Sequence, residues 1–145
     1  FTHGAVIAKG GKKICEGYNH KRSYLKGKLY CSFHAEMDVI SNWLSIFGRG
    51  RDNKSIKKLA KKFDIYIVRI NKSCNHYVGS HPCSRCCEAI KSIGFKNIYY
   101  SDDFGGCIKK KVKDLDTAHQ SYAQETLSQF ISYKHIPKGI INDKY

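Results

Sequence analysis

Two short motifs constrain the fold of this chain more than any other feature of its sequence. His34-Ala35-Glu36 comes first, and Pro82-Cys83-Ser84-Arg85-Cys86 follows after the 45 residues from 37 to 81. One imidazole and two thiols are donor groups that hold zinc, and three protein ligands leave a fourth tetrahedral position open. A fold that uses these groups together must bring two distant segments to one point.

Each motif lies at the start of a predicted helix. Apolar residues at positions 37, 40, 44 and 47 have helical spacing, and Gly48 and Gly50 end that run. Pro82 suits the first turn of a second helix that continues to Ile93, and Gly94 supplies its C-terminal stop. We therefore expect the donor groups near helix N-termini, where the positive end of a helix stabilises thiolates.

The other patterns predict a layered α/β domain in which helices cover a sheet. The elements expected are a hairpin around Gly10-Gly11, a short helix within the basic stretch 49–62, strands at 63–70 and 96–101, a strand or loop at 108–115, and a helix at about 117–133. The last helix would bury Ala123, Leu127 and either Phe130 or Ile131. We treat residues 1–145 as one domain, because this length is typical of a single core.

The two motifs together match the H-x-E and P-C-x-x-C signature of zinc-dependent deaminases. Zinc held by three ligands lowers the pKa of a bound water towards about 7, which makes hydroxide available at neutral pH. Glu36 lies two residues from His34, so its carboxylate can reach that water without binding the metal. We interpret His34, Cys83 and Cys86 as zinc ligands and Glu36 as the group that moves protons.

A closed structural zinc site is the competing interpretation of the same cysteines. Cys83 and Cys86 would then be half of a zinc knuckle, completed by Cys74, Cys87 or His81. Such a site has no need of Glu36, nor of two motifs that each begin a helix. The pattern therefore favours a catalytic zinc, and we expect Cys87 to be buried on the core face of its helix.

The seven cysteines indicate reduced thiols. An odd number, with three crowded into positions 83–87, does not suit a secreted disulfide framework. We therefore expect an intracellular, cytoplasmic protein. No run of 18 apolar residues occurs in the sequence, so we expect no membrane-spanning helix and no membrane partner.

The charge of the chain leaves two interpretations open. Lys and Arg total 26 against 12 acidic residues, and most of the 26 are lysines. The excess is either a solvated lysine coat or a phosphate-binding feature. The loop between Asn19 and His34 interleaves basic residues with Tyr24 and Tyr30. Arg22 is its best candidate for binding a substrate phosphate, although a solvated loop explains the same composition.

These motifs resemble those of the cytidine and deoxycytidylate deaminase family. The resemblance covers about residues 4–101, including the opening hairpin, Gly17-Tyr18-Asn19 and both metal motifs. It implies a three-layer α/β/α sandwich around a mixed five-stranded sheet, with residues of about 107–135 as a C-terminal extension. The stretch between the motifs is longer than in compact members. The excess lies around 48–62 and 71–79, which suggests insertions at the sheet edge or near the site.

The family resemblance also implies roles for individual residues. His34, Cys83 and Cys86 would bind Zn²⁺, and Glu36 would be the proton shuttle. Asn19 matches an asparagine that contacts the sugar in many relatives, although it would also suit a simple turn. The backbone N–H of Ala35 would contact the base. The resemblance further suggests a homo-oligomer, commonly a dimer or larger.

Three functions remain open at this point. The leading hypothesis is a hydrolase that converts a cytosine nucleotide or nucleoside, deoxycytidylate first, to its uracil form with release of ammonia. The second is a deaminase acting on a base in RNA or single-stranded DNA, in which 49–62 and 109–113 extend a basic binding surface. The third is a catalytically silent, zinc-stabilised nucleic-acid-binding module, against which Glu36 argues. Adenine in place of cytosine also stays open.

Overall fold

The computed structural model describes residues 2–20, 24–25, 28–29 and 34–115. Its elements in chain order are β1 Thr2–Lys9, β2 Lys12–Tyr18, β3 Tyr24–Leu25, β4 Lys28–Leu29, α1 Ala35–Phe47, α2 Asn53–Ala60, β5 Asp64–Asn71, β6 His76–Val78, α3 Ser84–Ile93, β7 Asn97–Ser101, β8 Cys107–Lys111 and a 3-10 helix Val112–Asp114. The predicted helix at 117–133 lies outside the described residues, as does the burial predicted for Ala123, Leu127 and Phe130 or Ile131.

The main sheet is mixed, as the family resemblance implies. Its order is β2-β1-β5-β7-β8, in which only β5 and β7 are parallel and the other neighbours are antiparallel. The short strand β6 adds a sixth member, because Arg69, Ile70 and Asn71 at the end of β5 pair with it. β3 and β4 form a separate two-residue pair.

The connections of the sheet follow from local sequence. Gly10 and Gly11 turn the chain between β1 and β2 with positive φ angles of 56° and 76°, which glycine adopts without steric cost. The parallel strands β5 and β7 need a crossover connection, and α3 supplies it. The metal motifs therefore begin the two helices that run back along the sheet.

One face of the sheet carries the apolar core. Ile7 of β1 pairs with Ile65 of β5, which pairs with Ile98 of β7, and all three side chains are fully buried. Trp43 of α1 packs edge-on against Phe63 and Phe95, with ring centroids 5.3 Å apart in both cases. α2 adds Ile56 and Ala60 to this core, and α3 adds Cys87 and Ile90. All three helices therefore pack into one cluster with this face.

The opposite face carries larger polar and aromatic side chains. Tyr66 of β5 stacks on Tyr99 of β7 with ring centroids 4.4 Å apart, and Lys109 Nζ of β8 lies 5.4 Å from the Tyr99 centroid. The mixed α/β architecture is thus confirmed. Among the described residues, the three helices lie on the core face, so the second helical layer of the predicted sandwich is not among them.

Several helices and strands differ in their bounds or type from those predicted. The short helix expected within 49–62 is α2, and the segment at 108–115 contains both a strand and a 3-10 helix. The second motif helix begins at Ser84, so Pro82 precedes the N-cap residue Cys83 instead of lying in the first turn. In the described ranges, no helix combines the length and apolarity needed to cross a membrane.

Candidate metal centre

The two motifs provide the N-cap residues of two helices. His34 caps α1 with an extended backbone at ψ 150°, and Cys83 caps α3 at ψ 166°. Neither side chain makes the usual capping hydrogen bond to its own helix. Both side chains instead turn towards each other, which brings the distant motifs to one point.

The donor atoms of three residues converge at this point. His34 Nδ1 lies 3.5 Å from Cys83 Sγ and 3.4 Å from Cys86 Sγ. All three donor atoms lie within 4.8 Å of one another. Tetrahedral zinc with ordinary Zn–N and Zn–S bonds holds its nitrogen and sulfur ligands about 3.6 Å apart. The cluster therefore fits a zinc ion, with Nδ1 as the nitrogen donor.

The electrostatics of the cluster favour ligation. A hydrogen bond from Cys86 lowers the pKa of the Cys83 thiol to about 4, and His34 contributes in the same direction. The pKa of Cys86 is raised, because that hydrogen bond to Cys83 and its own burial both disfavour a second thiolate. The hydrogen bond to Cys83 raises the pKa of His34. A bound cation would relieve the repulsion between two thiolates and favour both.

Glu36 is a buried carboxyl group beside the cluster. Its side chain is 3% exposed, and Oε2 has no hydrogen-bond partner among the described residues. Burial raises the pKa of this carboxyl above its ordinary value. A buried carboxyl oxygen without a partner is costly, so its presence calls for water or a ligand at that atom.

The predicted fourth ligands of a closed site do not join the cluster. Cys87 is fully buried in the apolar core, as predicted, and its Sγ donates to Pro82 O at 3.4 Å. His81 turns its Nδ1 to Pro82 O at 2.8 Å, and its ring packs nearly perpendicular to that of Tyr100. Cys74 is exposed in the turn after β5. Within the described part of the chain, the metal cluster has three ligands.

Asn19 is held in place by the backbone of His3. Its Oδ1 accepts the His3 N–H at 2.8 Å, and its own N–H donates to His3 O at 3.1 Å. These bonds occupy the side-chain oxygen and leave the Nδ2 group as the donor for a ligand. The side chain thus acts partly as the turn residue that the sequence also allowed.

Of the other two predicted substrate contacts, Ala35 is among the described residues and Arg22 is not. Ala35 is the first residue of α1 and is fully buried. N–H groups in the first turn of a helix have no intrahelical acceptor, so its N–H is available to a ligand. Arg22 lies outside the described residues.

A comparison with protein families shows which family combines this fold with this site. The model of the cytidine and deoxycytidylate deaminase zinc-binding region matches residues 1–102. The chain belongs to this family. Because the family's region binds zinc and the donor cluster fits that ion, Zn²⁺ is the cofactor that both observations support.

Individual relatives of this deaminase-family chain are distant. ComE operon protein 2 of Bacillus subtilis (strain 168) is 27% identical over 115 residues, covering 70% of this chain and 48% of that protein. The chain thus spans about half the length of this curated relative.

Two solved structures match this chain at low sequence identity. Cytidine deaminase from Burkholderia pseudomallei has a TM-score of 0.55 at 16% identity, over 82% of this chain and 81% of that one. The apo dCMP deaminase of cyanophage S-TIM5 has a TM-score of 0.42 at 17% identity, over 88% and 73%. The first comparison supports the deaminase fold.

Three features near the deaminase-family site were not predicted from sequence. Buried Ser80 and Ser101 bond to each other behind the metal loop. His3 lies near enough to His34 for their charges to interact. Asp38 accepts the N–H of Tyr18 at 3.0 Å and so ties β2 to α1. Isolated serines, histidines and aspartates carry no spacing signal, which is why sequence reasoning missed these residues.

Proposed function

We propose that this chain is a zinc-dependent hydrolase that deaminates the cytosine of a nucleotide or nucleoside, with deoxycytidylate as the leading substrate. The observation that supports it best is the pairing of a three-ligand cluster with the buried, unpartnered Oε2 of Glu36. A structural zinc needs four protein ligands and no neighbouring acid. Three ligands with an adjacent proton carrier suit hydrolysis instead.

In this proposal, His34 Nδ1, Cys83 Sγ and Cys86 Sγ hold the zinc ion. Zinc supplies Lewis acidity, which makes hydroxide available from water at neutral pH. Because Nδ1 is the donor, His34 carries its remaining ring proton at Nε2. The helix N-termini at His34 and Cys83 add positive potential that keeps the thiolates charged.

Glu36 moves the protons of the reaction. Its carboxylate takes a proton from water at Oε2 and passes it to the ring nitrogen of cytosine, while the oxygen of water adds to the adjacent carbon. Glu36 then takes the proton of the added hydroxyl group and passes it to the amine. The carbon–oxygen double bond forms as the carbon–nitrogen bond breaks and ammonia leaves, so water and the amino compound become the carbonyl compound and ammonia. The raised pKa of Glu36 suits a group that must both accept and donate near neutral pH.

The remaining site residues orient the substrate. Ala35 offers its backbone N–H to the base, and Asn19 offers Nδ2 to the sugar, because its Oδ1 is bonded to His3. Arg22 binds the phosphate, a role for which a planar, always charged guanidinium is well suited. The preference for deoxycytidylate over free nucleosides rests on this arginine and its basic loop.

The proposal treats residues 1–145 as one domain that acts in an intracellular homo-oligomer. Light scattering of the full chain tests the assembly, and a monomeric mass would contradict it.

The deciding experiment is ammonia release from a panel of cytidine, deoxycytidine, their mono- and triphosphates, adenosine and a short single strand. Glu36→Gln should lower kcat by about 10²–10⁴-fold, whereas Glu88→Gln on the exposed side of α3 should leave it unchanged. Arg22→Gln should raise the KM for deoxycytidylate about tenfold and leave that for deoxycytidine unchanged. Activity confined to the single strand would contradict the proposed substrate, and no activity with zinc bound would indicate the silent module.

A further inference from the structure

Eight lysines line two adjoining depressions on the surface. The depressions have volumes of about 410 Å³ and 450 Å³, and Lys61 lines both of them. We call this the lysine surface; its members are Lys54, Lys57, Lys58, Lys61, Lys91, Lys96, Lys111 and Lys113. All eight side chains are exposed except that of Lys91, which is half-buried.

The lysine surface lies at the end of the molecule opposite the metal centre. The N–H of Lys96 bonds to Phe63 O beside the start of β5, and Val112 N bonds to Lys96 O. Both contacts are at the edge where β5 and β7 begin, while Cys83 lies at the other end of α3. Ten helical residues separate these ends by about 15 Å. The surface is therefore not part of the substrate pocket.

The lysines gather from separate segments without acidic partners. Three lysines of α2 and its C-cap residue follow at intervals of three, one and three residues, which places them on one side: Lys54, Lys57, Lys58 and Lys61. Ile56 of the same helix faces the core. No carboxylate lines either depression, and none of the eight forms an ion pair within the described residues. The nearby Asp64 carboxylate instead accepts the Asn97 amide at 2.8 Å. Unpaired like charges held this close repel, and an anion would relieve the repulsion.

We propose that the lysine surface binds the phosphodiester backbone of double-stranded nucleic acid. Two adjoining depressions extend over more charge than one small phosphate carries, which favours a polymer. The one aromatic ring in the lining, Phe95, is 3% exposed and offers no stacking surface for an unpaired base. Contact with phosphates alone therefore predicts binding without sequence preference.

A lipid surface fits the same lysines less well. Peripheral membrane sites combine basic residues with exposed apolar side chains that enter the headgroup region. The large exposed hydrophobic residues of the described chain are Tyr18, Ile46, Tyr77 and Phe104. None of them lines either depression. The lysine surface thus offers charge without an apolar anchor.

The test uses the full chain and a fluorescently labelled 20-base-pair DNA duplex, with binding followed by anisotropy. If about four phosphates are neutralised, affinity should fall about 150-fold between 50 mM and 200 mM salt. Lys61→Glu, in the shared wall of the two depressions, should weaken binding about tenfold and reduce the salt slope by about one. Lys72→Glu is the matched control, because Lys72 is an exposed lysine at the opposite end of β5.

Each outcome decides the proposal. The proposal is supported if Lys61→Glu weakens duplex binding and Lys72→Glu does not. Two duplexes of unrelated sequence should also bind equally, and ammonia release should be unchanged. Equal losses in both variants would mean that net charge alone drives binding, and would overturn it. Failure of the wild-type chain to bind at 50 mM salt, or binding to phosphatidylserine vesicles but not to duplex, would also overturn it. Because ammonia release is measured separately, failure here leaves the proposed deaminase function intact.

Discussion

The hydroxyl group of Ser101 donates to that of Ser80 at 2.9 Å, and Ser80 lies three residues before the metal-site residue Cys83. Ser80 Oγ also donates to Ile67 O at 2.9 Å and accepts the Ser101 N–H at 2.8 Å, while Ser101 Oγ contacts Val78 O at 2.7 Å. Both serines are buried. This network joins β5, β7 and the segment after β6, and so fixes where the loop carrying Cys83 leaves the sheet.

We expect Ser80→Ala to lower the free energy of unfolding by about 1–3 kcal/mol, because buried groups lose their hydrogen-bond partner. It should also weaken zinc retention against a chelator, since the Cys83 loop loses its anchor. Urea unfolding and zinc release measure the two effects. Ser92→Ala is the control, because that exposed hydroxyl bonds to Ala89 O within its own helix. Equal stability of the two variants would contradict the anchoring role.

Gly17 permits the close approach of β2 to α1. A Cβ at this position would overlap Val39 N and would lie 2.9 Å from Ala35 O, both of which are backbone atoms of α1. Because α1 carries Glu36 in its first turn, we expect Gly17→Ala to reduce both stability and ammonia release. Gly4→Ala is the matched control, since among the described residues its new Cβ meets the Tyr18 ring, at an ordinary contact distance of 3.8 Å. Thermal unfolding and kcat measure the difference, and equal values would refute the packing argument.

Cys86 and Cys87 are adjacent thiols with different surroundings. Cys86 Sγ faces His34 Nδ1, whereas Cys87 Sγ faces Pro82 O in the core. We expect Cys86→Ala to abolish zinc binding and Cys87→Ala to retain about one zinc per chain with some loss of stability from the cavity. Metal analysis of the purified variants measures the ion. Zinc loss in Cys87→Ala alone would show that the ligand set is misassigned.

The features with periodic or spaced signals could be predicted from the sequence. Helix-spaced apolar residues and a glycine stop predicted α1, and Pro82 with the Gly94 stop predicted α3. The donor types and their spacing predicted that His34, Cys83 and Cys86 would meet. β6 was not predicted, because residues 71–76 are rich in turn formers and Asn75 adopts a left-handed φ of 52°.

Tertiary contacts without a sequence signal had to come from the structure. The bonds of Asn19 to His3 join residues sixteen positions apart, and those of Ser80 to Ser101 join residues twenty-one apart. The clustering of lysines from α2, α3 and β8 at one end likewise depends on the topology of the sheet. The local sequence around each of these residues carries no information about its partner.

His3 links stability to pH in a way that its variant can isolate. Burial, with the nearby Arg69 charge, lowers its pKa from 6.5 to about 4, and its Nε2 has no hydrogen-bond partner among the described residues. Below pH 6.5 the His3 ring therefore binds a proton in the unfolded chain, whereas in the folded chain it binds that proton only below about pH 4. Stability present at pH 7.5 should fall by about 1 kcal/mol at pH 5, a value reduced for partial exposure of the ring. In His3→Gln, this part of the fall in unfolding free energy between pH 7.5 and pH 5 should be absent. Any pH dependence that comes from zinc binding should be the same in both proteins. Urea unfolding at the two pH values measures the difference, and identical pH dependence in the two proteins would contradict a neutral, half-buried His3.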